Sequence, residues 1–392
     1  MQKLKNIIKK IRDAFVFIHT LILILVFNIV NKKLSCIMIT NGMGYGGAPF
    51  VLLEAARIYK KNGYKVIIFT EFYGELIKIC KNQNIEVWIA PKGNRLLKKL
   101  ALKSKFTFAF VNTIVMYKWI QVFNSMKIPT IWWLHESDTY IDMLRDKLPQ
   151  TVPENIHVLT VSQRTVLALK KNNIAYETHM LYYGLEKLTF AKKNNIHVSN
   201  EYKFLVIGAI SKRKNQIFSI KAFECLPDKI KKNSKIIFVG TPLSEDDEYY
   251  VEFLSKIKEH SRIEYIPKVQ RNQISQLYSN INALICCSID DPLPVVVTEC
   301  LMFGKTVIVS SGAGQYSLIV DGYNGYSYKT NELEELCEKM IKAYKNRDNI
   351  SMKKNAIDTY MTNFTNEIFE HKLMLYTKDT IKLNSVKFTQ NH

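Results

Sequence analysis

The chain has 392 residues, 47% of them apolar, with 55 Lys and Arg against 35 Asp and Glu and a formal charge of +20. That composition excludes a disordered chain, the length suits two domains of common size, and the basic balance points to anionic partners: membrane lipid, nucleotide phosphates or nucleic acid. Seven cysteines with no CxxC pair and no histidines at metal spacing exclude the common zinc sites and read as small buried thiols in a reducing compartment.

Residues 1–33 form the first segment. Lys3, Lys5, Lys9, Lys10 and Arg12 precede an apolar run over 14–30, and Lys32 and Lys33 close it. The run is a little short of the roughly 20 residues of a spanning helix, and it contains His19 and Asn28. No small-residue cleavage site follows it convincingly. The expectation is a helix lying on or dipping into an anionic membrane surface, which places the protein peripherally on the cytoplasmic face of the plasma membrane. A single span and a helix docked on the protein's own surface are the alternatives.

Residues 34–188 read as a first α/β unit. Apolar strands are predicted at 34–40, 66–70, 86–90, 106–112, 130–134, 158–161 and 178–182, with helices between them. A Gly-rich turn, Gly42 to Pro49, follows the first strand and opens a helix running to Lys61. The stretch 189–202 is polar, rich in Lys and Asn, and reads as a linker. A second unit over 203–354 repeats the alternation, with strands at 204–207, 235–239, 263–266, 283–286 and 306–309. The last segment, 355–392, is helical in pattern over 355–381. Alternating βα units of this kind build parallel sheets, whose ligands sit at the carboxyl ends of strands.

The candidate functional residues fall at such ends. Gly46 and Gly47 lie in the Gly-rich turn, where glycine allows positive φ and close backbone approach. His135 ends an apolar strand and is followed by Glu136 and Ser137. Ser162 follows a short apolar strand and reads equally as a cleft residue or a helix N-cap. Lys212, Arg213 and Lys214 crowd the start of a helix, where the dipole disfavours cations unless an anion binds there. Asp291 opens the segment Asp-Pro-Leu-Pro-Val-Val-Val-Thr-Glu299. It can cap the helix that follows, and a proline just inside a helix start costs nothing. Eight residues of helix would separate the two acids by roughly 12 Å, comparable to the span from a sugar across a diphosphate to a ribose.

This segment resembles the paired-acid motif (E-x7-E) of the retaining glycosyltransferases of family 4, with Asp291 in place of the first Glu. The loop Gly46-Gly47-Ala48-Pro49, the strand ending in His135, Lys214 after the strand-end Gly208, and the turn Asp321-Gly322-x-Asn324-Gly325 occur in the family's order over most of 34–375. The resemblance implies the GT-B fold: two Rossmann-like domains facing each other across a cleft, with a terminal helix crossing back to the first. It implies a nucleotide-sugar donor and a lipid-linked or polysaccharide acceptor, with no cofactor and no metal. By it, Glu299 holds the ribose, Asp291 and His135 the donor sugar, Lys214 and Arg213 the diphosphate, and Gly46, Gly47, Leu293 and Val295 line the donor site. Two departures stand out: Ala209 occupies the place of the family's Arg, and Tyr183 that of the Asn in its Asn-Gly turn.

Three other readings compete. Those two departures and Asp291 suit a GT-B nucleotide-binding partner protein without turnover. Two α/β halves suit a nicotinamide-dependent oxidoreductase, for which Glu71 is the only acid near the required strand end. Nucleic-acid binding is set aside, because the cations are scattered and no binding motif appears.

Overall fold

The structure is a computed structural model that describes residues 2–30, 34–44, 46–90, 95–188, 201–242, 244–270 and 273–389. The expected linker lies almost wholly outside the described residues.

Two parallel sheets organise the chain. The first contains β1 (Ser35–Gly42), β2 (Lys65–Phe72), β3 (Glu86–Ile89), β4 (Phe108–Asn112), β5 (Thr130–Leu134), β6 (Ile156–Thr160) and β7 (Thr178–Met180), in the order β3-β2-β1-β4-β5-β6-β7. The second contains β8 (Tyr202–Ile207), β9 (Ser234–Val239), β10 (Ile263–Ile266), β11 (Ala283–Cys286), β12 (Thr306–Ser310) and β13 (Tyr326–Tyr328), in the order β10-β9-β8-β11-β12-β13. The strands are near-continuous apolar runs because helices cover both faces of each sheet. Trp132 and Trp133 show this: Trp133 stacks on Phe369 at 5.6 Å between ring centroids, while its neighbour Trp132 meets Tyr176 at 5.7 Å on the opposite face.

In each sheet the chain starts at an inner strand, winds outward, then returns to build the other side. The reversal falls between β1 and β4 and again between β8 and β11, which opens a crevice at those strand ends. Loops from both crevices face one cavity.

The structure corrects three expectations. β13 was missed because three residues after a turn are too short to show alternation. The helix after Asp291 begins only at Val295, with Pro294 as N-cap and no side-chain cap, so Asp291 caps nothing and half of the span to Glu299 is extended loop. The helical stretch 355–381 belongs to two helices, Ile350–Asn363 and Asn366–Thr389. They part where the Phe364 carbonyl accepts from the Leu185 amide at 2.8 Å and the Thr365 hydroxyl accepts from the Ile368 amide at 3.3 Å.

The helix Asn366–Thr389 lies on the first sheet's side of the molecule. Its Thr377 hydroxyl pairs with Tyr59 at 2.8 Å and its Thr380 hydroxyl with His157 Nδ1 at 2.9 Å. At the other terminus, Gln2–Val30 is one continuous helix. Val16, Thr20, Ile24 and Phe27 are buried on one side of it, and Phe27 packs edge-on against Trp88 at 5.4 Å. The Thr20 hydroxyl donates to the Ile89 carbonyl at 3.0 Å and so fixes this helix to the edge strand β3.

Candidate active site

A cavity of about 770 Å³ opens between the two halves, within the usual range for a small-molecule site. From the first half it is lined by the loop after β1, including Gly46 and Gly47, by Thr113 after β4, and by His135 and Glu136 after β5. From the second half come Arg213, Asp291, Leu293 and Val295. Residues far apart in sequence meet here because each sits just past the carboxyl end of a parallel strand.

The Gly-rich loop works differently from expectation. Gly46 has φ −163°, an extended conformation open to any residue, and Gly47 starts the helix Gly47–Lys61. Neither needs positive φ. Nor does packing demand glycine at Gly47, where a Cβ would meet nothing within 4 Å.

Asp291 is the charged centre of the second half's wall. Its carboxylate forms an ion pair with Lys214 and stands 3.7 Å from Arg213 Nη1. Arg213 Nη1 also donates to the Asp290 carbonyl at 2.7 Å. The cations at the start of the helix Gln216–Glu224 therefore already have an acidic neighbour, which answers the conflict with the helix dipole without any ligand. The loop carrying Asp291 is held from behind. Its amide donates to the Gly312 carbonyl at 2.8 Å, and the Gln315 amide donates to the Pro294 carbonyl at 2.8 Å. Gly314 is required there, since a Cβ would lie 1.7 Å from the Pro292 carbonyl oxygen.

Lys214 does not line the cavity itself; it joins the site through Asp291. Glu299 stands outside the lining as well, one helical turn beyond Val295. The hydroxyl of fully buried Tyr278 donates to Glu299 Oε2 at 2.8 Å and so orients the carboxylate.

The first half's wall is mostly uncharged. Burial pushes the His135 pKa down to about 3, so its ring is uncharged at neutral pH. The ring sits edge-on to Trp133 at 4.2 Å, and its shielded Nε2 has no hydrogen-bond partner among the described residues. The Thr113 hydroxyl is likewise buried and unpartnered. Thr113 also adopts φ 77°, which is strained for a β-branched residue. Two contacts impose that conformation. The Trp132 indole donates to the Thr113 carbonyl at 2.9 Å, and Glu136 Oε2 accepts from the amides of Ile114 and His135 at 2.9 Å each. Burial raises the Glu136 pKa to about 7 despite those amides.

Asp290 also lines the cavity and reaches across to the first half. It accepts from the Ser137 hydroxyl, from the Thr139 amide and hydroxyl at 3.1 and 2.7 Å, and from Arg164 Nε and Nη2 at 3.2 and 3.0 Å. Burial alone would raise its pKa, but these donors outweigh that and hold it below the usual carboxylate range. Arg164 also donates to Asp138 and to the carbonyls of Ile289 and Ser311. Tyr183, the departure at the end of the first half, bridges the halves too, with its hydroxyl 3.2 Å from the Leu293 carbonyl and 3.1 Å from Thr298 Oγ1.

The structure resolves the remaining ambiguous residues. Ser162 is the N-cap of Gln163–Lys171, and Glu71 pairs with Lys98 away from the cavity. Among the described residues no three of His, Cys, Asp and Glu converge at metal spacing. Arg164, Thr113 and the bridging role of Asp290 were missed. Only the adjacent acids Asp290-Asp291 left a trace in the sequence.

Residues 189–359 match the family described as glycosyl transferases group 1, and residues 32–171 match glycosyl-transferase family 4, so the two matches span most of the chain. A Campylobacter jejuni protein, GalNAc-alpha-(1->4)-GalNAc-alpha-(1->3)-diNAcBac-PP-undecaprenol alpha-1,4-N-acetyl-D-galactosaminyltransferase, is 28% identical over 144 residues. That stretch is 34% of this chain and only 38% of that relative's length. The crystal structure of Anabaena HepE in complex with UDP superposes with a TM-score of 0.74 at 18% identity, covering 88% of this chain and all of that one. A glycosyltransferase from Rickettsia africae gives 0.74 at 15% identity, over 90% of this chain and all of the other. These likenesses show the GT-B fold.

Proposed function

We propose, on the premise that the chain belongs to the group 1, family 4 glycosyltransferases, that it transfers a sugar from a nucleoside-diphosphate donor to a hydroxyl of a lipid-linked or polysaccharide acceptor. Transfer retains configuration at the anomeric carbon and uses neither a metal nor a cofactor. The observation that carries this reading is the cavity lined by Asp291 and Arg213 of the second half, with Lys214 paired to Asp291 behind them, and by the neutral His135 of the first half.

The donor's diphosphate competes with Asp291 for Lys214 and Arg213. Once displaced, Asp291 turns to a hydroxyl of the donor sugar. His135 Nε2, buried and unpartnered, takes a second sugar hydroxyl, as a shielded polar atom requires. Leu293 and Val295 border the diphosphate, and Glu299, oriented by Tyr278, holds the ribose. Gly46 and Gly47 leave space for the phosphates or the acceptor. In the transfer step the bond from the anomeric carbon to the phosphate oxygen breaks, and the acceptor oxygen bonds on the same face. The acceptor proton passes to the departing phosphate oxygen, so no side chain acts as base. Fixed cations stabilise the charge developing on the diphosphate. The amino-terminal helix attaches the enzyme peripherally to the cytoplasmic leaflet, where a lipid-linked acceptor is presented.

The test is donor turnover by the full chain over a panel of nucleotide sugars, with thermal shift by the matching nucleoside diphosphates. Stabilisation by one nucleotide, lost in Glu299→Ala, and sugar transfer lost in Asp291→Asn are expected. Nucleotide binding with no turnover of any donor, towards water or an acceptor, would favour the non-catalytic partner reading instead.

A further inference from the structure

The amino-terminal helix has two apolar faces, and only one of them is used. Val16, Thr20, Ile24 and Phe27 point into the first half. Ile8, Ile11, Phe15, Ile18, Ile22 and Leu25 are each half exposed or more. Steps of three and four place these six on one stripe roughly 100° wide, opposite the buried face. At 1.5 Å per residue the stripe is roughly 26 Å long. Monomeric proteins rarely leave so large an apolar surface without an occupant.

We infer that this outer face is buried in an anionic bilayer, with the helix lying in the membrane plane and its inner face clamped to the protein. Charge selects this occupant over a second copy of the chain. Gln2–Val30 carries Lys3, Lys5, Lys9, Lys10 and Arg12 against one acid, Asp13, so two such helices packed together would lack partners for their cations, whereas acidic headgroups supply them. The clamped face selects lying over spanning. A span would pull Ile24 and Phe27 from the core and strand the Thr20–Ile89 hydrogen bond.

The direction of the helix adds a consequence for the site. Its carboxyl end packs beside Phe106, at the strand-start side of the sheet. Its basic end reaches the opposite side, where the Arg12 guanidinium stands 5.4 Å from the Tyr73 ring. Tyr73 adjoins Gly74, which lies so close to Met43 and Gly44 that a Cβ there would be 2.0 Å from the Met43 carbonyl carbon. Gly44 lines the cavity. The membrane-bound helix therefore sets the mouth of the cleft beside the headgroups, with Arg12 at the rim where an acidic lipid-linked acceptor would enter. The orientation rests on the transferase reading for its purpose, but lipid binding itself does not depend on turnover.

The experiment is co-sedimentation of the full chain with sealed vesicles of phosphatidylcholine containing about 30% phosphatidylglycerol, against pure phosphatidylcholine. The wild type is expected to partition at least tenfold more strongly onto the anionic vesicles. Ile11→Glu, Ile18→Glu and Ile22→Glu together should abolish binding without lowering Tm, because the face is exposed in the folded protein. Should that variant misfold, Ile18→Trp reads the same face: its added fluorescence should be quenched by brominated lipid. Several results would overturn the inference. They are no vesicle binding by the wild type, unchanged binding by the triple variant, or no quenching. A wild-type dimer made monomeric by the same substitutions would assign the face to a second copy. An amino-terminal tag protected inside the vesicles would mean a span. Nucleoside diphosphate thermal shift on the same samples reads the donor site separately, so failure of one proposal does not mimic failure of the other.

Discussion

On the second half's wall of the cleft, the charged groups are already paired: Lys214 with Asp291, Arg213 with the Asp290 carbonyl. On the first half's wall, most groups are uncharged, and two polar atoms, His135 Nε2 and Thr113 Oγ1, have no partner among the described residues. The difference follows from what each wall can tolerate. A buried, unpaired charge costs far more than a buried, unpaired hydroxyl or imidazole, so the cations must be neutralised internally until a ligand arrives. The neutral wall can wait unpaired, and it carries its cost instead as the strained backbone at Thr113. One wall exchanges partners on binding; the other is preset.

The comparison is broken most severely at the paired wall. Lys214→Ala is expected to weaken nucleoside diphosphate binding at least tenfold in calorimetry. Asp291→Asn should leave that affinity within about threefold yet lower turnover by about 10² to 10³, the size of effect seen when a preorganised electrostatic group is removed. Equal loss of affinity in both variants would mean that the pair is a structural unit and not an exchangeable one.

Next in size is the grip between the walls. Asp290→Asn removes the largely buried negative charge that faces Arg164 and should cost about 2 kcal/mol in urea unfolding at pH 7. Because the Asp290 pKa is depressed in the folded protein, its contribution is present above the ordinary carboxylate range and is lost as pH falls through the folded value. The variant's acid limb should therefore be flatter than that of the wild type.

The preset wall has its own pH signature. Glu136 is raised to about 7, so the stability it contributes is present below its ordinary value near 4.5 and lost as pH rises through 7. Glu136→Gln should erase about 2 kcal/mol of the decline between pH 5 and pH 8. His135 runs the opposite way. Its folded pKa of about 3 lies below the ordinary 6.5, so stability is lost as pH falls from 6.5 towards 3, and His135→Gln should reduce that loss. The smallest effect sharpens the contrast: Thr113→Gly relieves the strained φ and should raise stability by about 1 kcal/mol while lowering turnover. A loss of stability there would show that the Thr113 side chain packs more than it strains.

The fold was legible because its strands are apolar runs such as Ile67-Ile68-Phe69 and Phe108-Ala109-Phe110, separated by glycine and polar turns. The candidate residues at strand ends were legible for the same reason, since strand ends are where parallel sheets present ligand-facing loops. Partners were not. Nothing in the sequence couples Lys214 to Asp291, which lie 77 residues apart, or Asp290 to Arg164, 126 apart. Asp291 read as a helix cap because capping is a local rule, and the actual helix start at Val295 was decided by Gln315 and Gly314 holding the loop from behind. Thr113 left no signal at all, because an unfavourable φ comes from the surroundings, here Trp132 and Glu136, and not from the residue.

The helix Asn366–Thr389 has a bearing on how the chain is made. Phe369 stacks on Trp133, and Thr377 meets Tyr59 across a sequence separation of 318 residues. The sheet that is synthesised first is thus finished by a segment synthesised after the whole second half. While the ribosome completes the second half, the first half stands with the Trp133 face of its sheet uncovered and an apolar amino-terminal helix already outside the tunnel. Contacts of such long range close late, and apolar surface left open in the meantime is what draws in chaperones or early membrane capture. Truncating the last 25 or so residues should therefore leave a nascent chain that stalls with an incomplete first half, even though every strand of that half has been made.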